Sequence, residues 1–454
     1  MNQNMKKRDI FFLGLTLFSL FFGAGNLIFP PFLGAQAGTD TWISMIGFAV
    51  TAIGFPILGV VAVARVGGFE KLAGQVGRRF AFVFILLVYL SIGPGLAIPR
   101  PASTSFEMAV TPFVEEPSGW VLPVYSLIFF VVGALVAFRP EKLTKRIGRF
   151  LAPCLLLLIL TIVIGCLIKA PGGYGAPSGA YAHNGIAQGF SDGYQTMDAL
   201  VALNYGIIII LNIQNHKVTE NKKVVHYTIT AGWIAGALLL AVYCALAHIG
   251  AVSGGSFPGA TNGAGVLTNL VSWLYGPVGS VILGLIFVIA CLNVCIGLLS
   301  SCSEYFHRIV PKLSYRVWVV ITAAVSYVIS IAGLDTILKV STPILNALYP
   351  MALLLILLGL AHSGIRRLPL CYPVSITFTG IISVLYALET AGLEIPVITG
   401  WIRLLPLYDS GLCWLIPAAA GVLIGCAASL IRNRRRYGCW LLPREKESPE
   451  LPAD

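Results

Sequence analysis

Long apolar runs return from one end of this sequence to the other. Each is about 18 residues or more, the length a helix needs to cross the hydrocarbon core of a bilayer. Twelve such runs can be marked, at 9–34, 40–64, 80–99, 119–138, 150–169, 191–215, 225–250, 275–303, 315–332, 335–361, 370–390 and 411–431. The third can continue past Pro99 to about Val110, although Pro99 and Pro101 interrupt the pattern. In hydrocarbon every backbone polar group must be satisfied within the chain, so a chain of this kind folds as packed spanning helices. The fold class read from the pattern is an all-α polytopic membrane protein with about 12 transmembrane helices. Only 11% of residues are charged, against about 25% in soluble domains, which excludes a soluble enzyme. The ten cysteines lie mostly inside apolar runs and form no CxxC pair, so neither a disulfide framework nor a metal site is expected. The first run lacks a small-residue cleavage signature and reads as a spanning helix, not a removed signal peptide.

The net charge of +11 is explained by where the basic residues fall. With the N-terminus placed inside, 26 of the 30 lysines and arginines lie in the seven inside segments. Only Arg100, Lys169, Lys339 and Arg403 lie elsewhere. This is the positive-inside bias, and it predicts an even number of spans with both termini cytoplasmic. It accounts for the charge with no nucleic-acid partner; the lipid bilayer is the expected surroundings, its anionic inner leaflet facing the basic loops. The stretch from Pro171 to Gly189 reads as an outside loop, and the proline-bearing, charged stretch 432–454 as a partly disordered cytoplasmic tail.

Irregular backbone inside a span is tolerated where it lines a cavity, so interruptions mark candidate sites. The first span reads Leu20-Phe21-Phe22-Gly23-Ala24-Gly25-Asn26-Leu27-Ile28-Phe29-Pro30-Pro31. The glycines permit unwinding. A half-helix starting near Gly25 would present free N–H groups to a carboxylate, and one ending near Phe22 free carbonyls to a cation. A proline-kinked helix with packing glycines is the alternative; the polar Asn26 at mid-depth favours the break. The sixth span carries Leu203-Asn204-Tyr205-Gly206 near its middle and is read as broken there, with Asp198 about two turns outside the break. Asp198 is a candidate gate, proton carrier or cap. Two interrupted helices of opposite direction, five spans apart, match a five-plus-five inverted repeat. The implied units are 1–170 and 191–362, separated by the loop 171–190 and followed by two helices (363–431) and the tail. In the eighth span, Ala290-Cys291-Leu292-Asn293-Val294 places an asparagine at depth, either a ligand or glue between helices. Arg100 and Glu107 read as an ion pair, Glu304 and Arg308 as an i,i+4 pair, and Asp335 as a helix N-cap with Lys339 beside it. His216, His226 and His248 read as helix-end or packing residues.

The run Phe22–Pro31, with Gln36-Ala37-Gly38, resembles the bacterial branched-chain amino acid:cation symporter family. Ile92-Gly93-Pro94, Ala97-Ile98-Pro99-Arg100, Ser105-Phe106-Glu107, Thr196-Met197-Asp198-Ala199-Leu200 and Ser303-Glu304-Tyr305-Phe306 support it. The resemblance spans essentially the whole chain. It implies an importer of leucine, isoleucine and valine in the bacterial cytoplasmic membrane, with a leucine-transporter-like fold, no enzyme activity, and no cofactor. The implied coupling ion is Na+, with H+ as the alternative. The resemblance places Ala24, Gly25 and Asn26 at the substrate, with Leu203, Asn204, Tyr205 and Gly206 flanking the pocket. It assigns the cation to the carbonyls of Ser19, Phe22 and Ala290 and the side-chain oxygen of Asn293. One departure stands out: Val294 occupies a position where a hydroxyl ligand is expected, and sodium prefers hard oxygen donors. Asn204, where an apolar residue is expected, points toward a shifted preference among small neutral amino acids. Protein partners are not readable from the sequence.

Overall fold

A computed structural model describes residues 5–114, 119–138, 156–218, 220–257, 259–393 and 396–437. The third basic segment (residues 139–149) and the tail beyond residue 437 lie outside the described residues. The helices, in chain order, are α1 (Lys7–Phe21), α2 (Ala24–Ala37), α3 (Thr41–Ala49), α4 (Phe55–Val66), α5 (Phe69–Gly74), α6 (Arg78–Leu90), α7 (Pro99–Ala109) and α8 (Val121–Ala137). After α9 (Leu156–Ile168) come α10 (Tyr181–Asp192), α11 (Asp198–Asn215), α12 (Asn221–Gly254), α13 (Gly263–Ile309), α14 (Tyr315–Ser330) and α15 (Leu334–Leu360). The short α16 (His362–Ile365), then α17 (Cys371–Thr390), α18 (Pro396–Arg403) and α19 (Leu415–Tyr437) complete the described chain. Every one of the twelve expected passages has a helix. The apolar run Gly25–Val66 holds two of them, because Gly38 (φ 50°) turns the chain between α2 and α3, a conformation that favours glycine.

The packing repeats itself. The first passage, α1 and α2, lies along α12; the sixth, α10 and α11, lies along α3 and α4. Helix one on helix seven and helix six on helix two is the reciprocal pairing of an inverted repeat. Both seams are built from small residues, as expected where close backbone approach replaces the hydrophobic effect. A Cβ on Gly34 would lie 2.0 Å from the Ala247 carbonyl oxygen, and one on Gly250 1.9 Å from that of Pro31. On the other seam, a Cβ on Gly189 would lie 2.1 Å from the Ser44 carbonyl oxygen, and one on Gly47 1.9 Å from that of Ile186.

Several elements differ from the sequence reading. The stretch expected as an outside loop holds most of α10 (Tyr181–Asp192). The third passage is interrupted at Gly93-Pro94 and restarts at Pro99. Pro99 and Pro101 therefore begin a helix, where their missing N–H groups cost nothing. The long α13 starts at Gly263, turns at Gly276 (φ 63°, ψ −159°) before Pro277, and only then enters the bundle. Asp335 is not an N-cap: Gly333 holds that position, and the Asp335 carboxylate accepts from Thr261 Oγ1 and Asn262 Nδ2, both at 2.9 Å. The described ion pairs do not include one between Lys339 and Asp335. Arg308 pairs with Glu70 on α5 and not with Glu304, which ties the basic end of α13 to the turn after α4. Both partners are more than 60% exposed. Glu70→Gln is therefore expected to cost at most about 1 kcal/mol of stability, less at high salt, as read by thermal melting in detergent.

Candidate functional site

The first break is where the sequence places it. The Phe22 N–H is the last to join α1, bonding the Phe18 carbonyl at 2.8 Å. The carbonyls from Ser19 to Phe22 thus have no donor in the helical ladder. The Ser19 side chain itself is exposed, so only its carbonyl belongs to this break. Two residues on, α2 begins with Gly23 as its extended N-cap (φ −119°, ψ −173°). Asn26 Oδ1 accepts from the Gly23 N–H at 3.2 Å, and the N–H groups of Ala24 and Gly25 open the new helix.

The second break is displaced from its expected place. The chain is helical without interruption through Leu203, Asn204, Tyr205 and Gly206. The interruption lies about two turns earlier, at Gly193–Met197, where Met197 adopts a left-handed conformation (φ 62°). Gly206 is a packing residue: a Cβ there would meet Val63 Cβ at 2.7 Å. Asn204 donates to Ser301 Oγ at 3.1 Å and accepts from the Tyr89 hydroxyl, on the basic side of the break. Leu203 is fully buried and does not line the cavity between the breaks.

That cavity is lined by Leu20, Phe21, Gly23, Gly25, Asn26, Ala97, Arg100, Pro101, Thr196, Met197, Asp198, Val201, Tyr205, Val294 and Leu298. It is narrow, about 60 Å³. Of the residues expected at the substrate, Gly25, Asn26 and Tyr205 line it, and Ala24 adjoins it in the chain. Asp198 is not two turns away but the first residue of α11, at the break itself. Asn26 Nδ2 donates to Asp198 Oδ2 at 2.5 Å and also bonds the Tyr243 hydroxyl of α12. Tyr243 Oη in turn lies 3.5 Å from Asp198 Oδ2. One asparagine thereby links both breaks and helix seven.

Arg100 is the residue that sequence reasoning misassigned. No ion pair with Glu107 is among those described. Arg100 is 3% exposed, and its guanidinium donates from one terminal nitrogen to the Gln195 carbonyl at 2.6 Å. The guanidinium carbon lies 5.5 Å from the centroid of the Phe29 ring, and Nε has no partner. Glu107 instead lines a separate cavity with Asn262 and Thr268. The signal was present: Arg100 is one of four basic residues that defied the charge rule. Thr196, Met197 and Val201 were also missed as lining residues.

On the opposite wall, α13 sets Val294 against the first break, its methyls 3.7–3.8 Å from where a Gly23 Cβ would sit. Ala290 is buried one turn before, and Asn293 Oδ1 is buried without a hydrogen-bond partner. Buried polar oxygens are nearly always bonded, so this one, on the same helix and next to Val294, is chemically suited to a hard cation. Asp, Glu, His and Cys do not cluster in threes or more among the described residues. His216 Nδ1 bonds the Asn212 carbonyl at the end of α11, and His248 Nδ1 the Tyr174 hydroxyl.

Two interrupted helices facing one cavity, within reciprocally packed halves, define a membrane transporter of the leucine-transporter fold. Solved structures share the arrangement. A nucleobase-cation-symport-1 family transporter, closed with bromovinylhydantoin bound, aligns with a TM-score of 0.60 at 16% identity, over 94% of this chain and 92% of that one. MhsT in complex with L-phenylalanine aligns with a TM-score of 0.53 at 16% identity, over 94% of this chain and 100% of that one. The chain belongs to the branched-chain amino acid transport protein family, whose model matches residues 6–432. It is 38% identical to the branched-chain amino acid permease BrnQ of Bacillus subtilis (strain 168), over 96% of this chain and 100% of the relative. It is 40% identical to the branched-chain amino acid transport system 3 carrier protein of Pseudomonas aeruginosa, over 93% and 96%. The permease BrnQ of Escherichia coli (strain K12) is 35% identical over 93% and 96%. These kinships are to carriers, and the chain is a transporter and not an enzyme.

Proposed function

We propose that this protein imports leucine, isoleucine and valine across a bacterial cytoplasmic membrane by cation symport, with sodium as the coupling ion and both termini cytoplasmic. The observation that carries the reading is the cavity between the two helix breaks. Its polar side holds the N–H groups of the α2 first turn. Its apolar side holds Leu20, Phe21, Val201, Val294 and Leu298. A branched aliphatic side chain fully removed from water there is worth about 1.5–3 kcal/mol. The relatives' names supply the substrate class. The carbonyls ending α1 and the unpartnered Asn293 oxygen support a cation beside the cavity, while Val294 contributes no ligand. Loading and release would proceed by alternating access, the half-helices parting on one side of the membrane at a time.

One observation favours a second reading. Asp198 is a buried carboxylate within the cavity, so proton coupling through it is the alternative to sodium. A shifted substrate preference resting on Asn204 loses its support, because that side chain is engaged with Tyr89 and Ser301 away from the cavity. The test is uptake of radiolabelled leucine into proteoliposomes under an inward sodium gradient, against an equal proton gradient. Sodium-driven accumulation is expected. Proton-driven accumulation transfers coupling to Asp198. Accumulation that survives collapse of both gradients overturns symport, and no leucine uptake at all overturns the substrate.

A further inference from the structure

We propose that Arg100 and Asp198 form a paired-charge clamp that selects free amino acid zwitterions. The guanidinium takes the α-carboxylate and Asp198 the α-ammonium. This rests on the reading that the cavity holds an amino acid, and it adds which side chains read the two charged ends.

A buried guanidinium and a buried carboxylate are each costly unless compensated. Here both line one cavity, at 3% exposure each. Yet no ion pair between them is among those described. Their hydrogen bonds go instead to neutral groups, Arg100 to the Gln195 carbonyl and Asp198 to Asn26, Tyr243 and Thr196, while the two charges still attract each other across the cavity. Nε of Arg100 has no partner at all. The guanidinium fork is suited to bidentate carboxylate recognition, and the Phe29 ring lies against it. Its Nη1 is only 3.3 Å from where a Cβ on Gly25 would lie. The guanidinium thus lies directly over the first turn of α2, so a carboxylate that takes its place over Gly25 displaces it outward and meets both it and the free N–H groups of that turn. On the other side, Asn26 and Tyr243 both act on Oδ2, which leaves acceptor capacity on the Asp198 carboxylate for an ammonium. A zwitterion placed between the two groups neutralises both at once.

The clamp predicts discrimination by charge. Wild-type protein should bind leucine far more tightly than leucinamide, which lacks the carboxylate, or 4-methyl-2-oxopentanoate, which lacks the ammonium. In Arg100→Gln, leucine binding should weaken by about 30-fold or more, the worth of a charge-assisted contact, while leucinamide binding changes little. Asp198→Asn should spare the oxo acid and weaken leucine. Arg100→Lys, which keeps the charge but not the fork, should retain part of the preference. Scintillation proximity binding on purified protein reads the leucine-to-leucinamide and leucine-to-oxo-acid ratios in wild type and the three variants. An unchanged leucine-to-leucinamide ratio in Arg100→Gln overturns the clamp, whether both ligands are lost together, as for a residue that only braces Gln195, or neither is. If wild-type protein binds another neutral amino acid in place of leucine, the substrate reading fails. The ratio of that acid to its amide then decides the clamp in the same way.

Discussion

Asn26→Leu is expected to reduce leucine uptake by more than about 100-fold per folded molecule, because removing one partner of a buried charged network costs about 3–5 kcal/mol. The leucine is close in volume, so packing alone does not account for the loss. What disappears is the acceptor for the Gly23 N–H and the donor to Asp198 and Tyr243. Asn26→Gln should not rescue transport, since the extra methylene moves the amide off both contacts. The measurement is initial uptake normalised to monodisperse protein from size-exclusion chromatography. Uptake within about threefold of wild type, well under the 1.4 kcal/mol of a tenfold change, would show that the network is not needed for the transport cycle.

Gly189→Val is expected to remove folded protein from the membrane. A Cβ at this position falls 2.1 Å from a backbone carbonyl, which no rotamer change relieves. Overpacking typically costs about 1–3 kcal/mol and more where backbone must move. The monodisperse yield should fall by at least about tenfold, the equivalent of 1.4 kcal/mol. Gly364→Val serves as the control, because nothing lies within 4 Å of a Cβ there. Equal yields of the two variants would mean that α10 does not rest on α3 as described.

How much of this was legible in the sequence depends on what each helix faces. Helices that face lipid must be apolar, so their number and the first break stood out in the letters. The second break did not. Residues Ser191 to Met197 are mixed and polar, and α10 before them reads as a loop. That helix packs its glycine seam against α3 and leaves Ala182, His183, Asn184 and Ile186 exposed, a mixed set that carries no hydropathy signal. Attention went instead to Asn204 and Gly206, which lie inside an apolar run. Their roles are a hydrogen bond to neighbouring helices and a close approach to Val63, and neither needs a broken backbone. Arg100 was misread because spacing along one helix suggested Glu107; both lie on α7, but Arg100 lines the cavity between the breaks while Glu107 lines a separate one with Asn262 and Thr268. Local patterns report local geometry; which faces meet across the bundle is decided by the helices between them.

The long helix α13 touches three levels of the molecule. Its first residue, Gly263, abuts the Ile28 carbonyl of α2, Val294 and Leu298 wall the cavity, and Arg308 holds Glu70 at the basic end. From Pro277 onward it is an unbroken rod. At 1.5 Å per residue, Val294 stands about 21 Å from Arg308 and about 25 Å from Pro277. The cavity thus sits near the midpoint of this straight segment. A tilt of about 5° displaces each tip by roughly 2 Å in opposite directions, enough to break a hydrogen-bonded ion pair at one face while tightening the other. Were the helix to pivot there, its two ends would move by nearly equal distances.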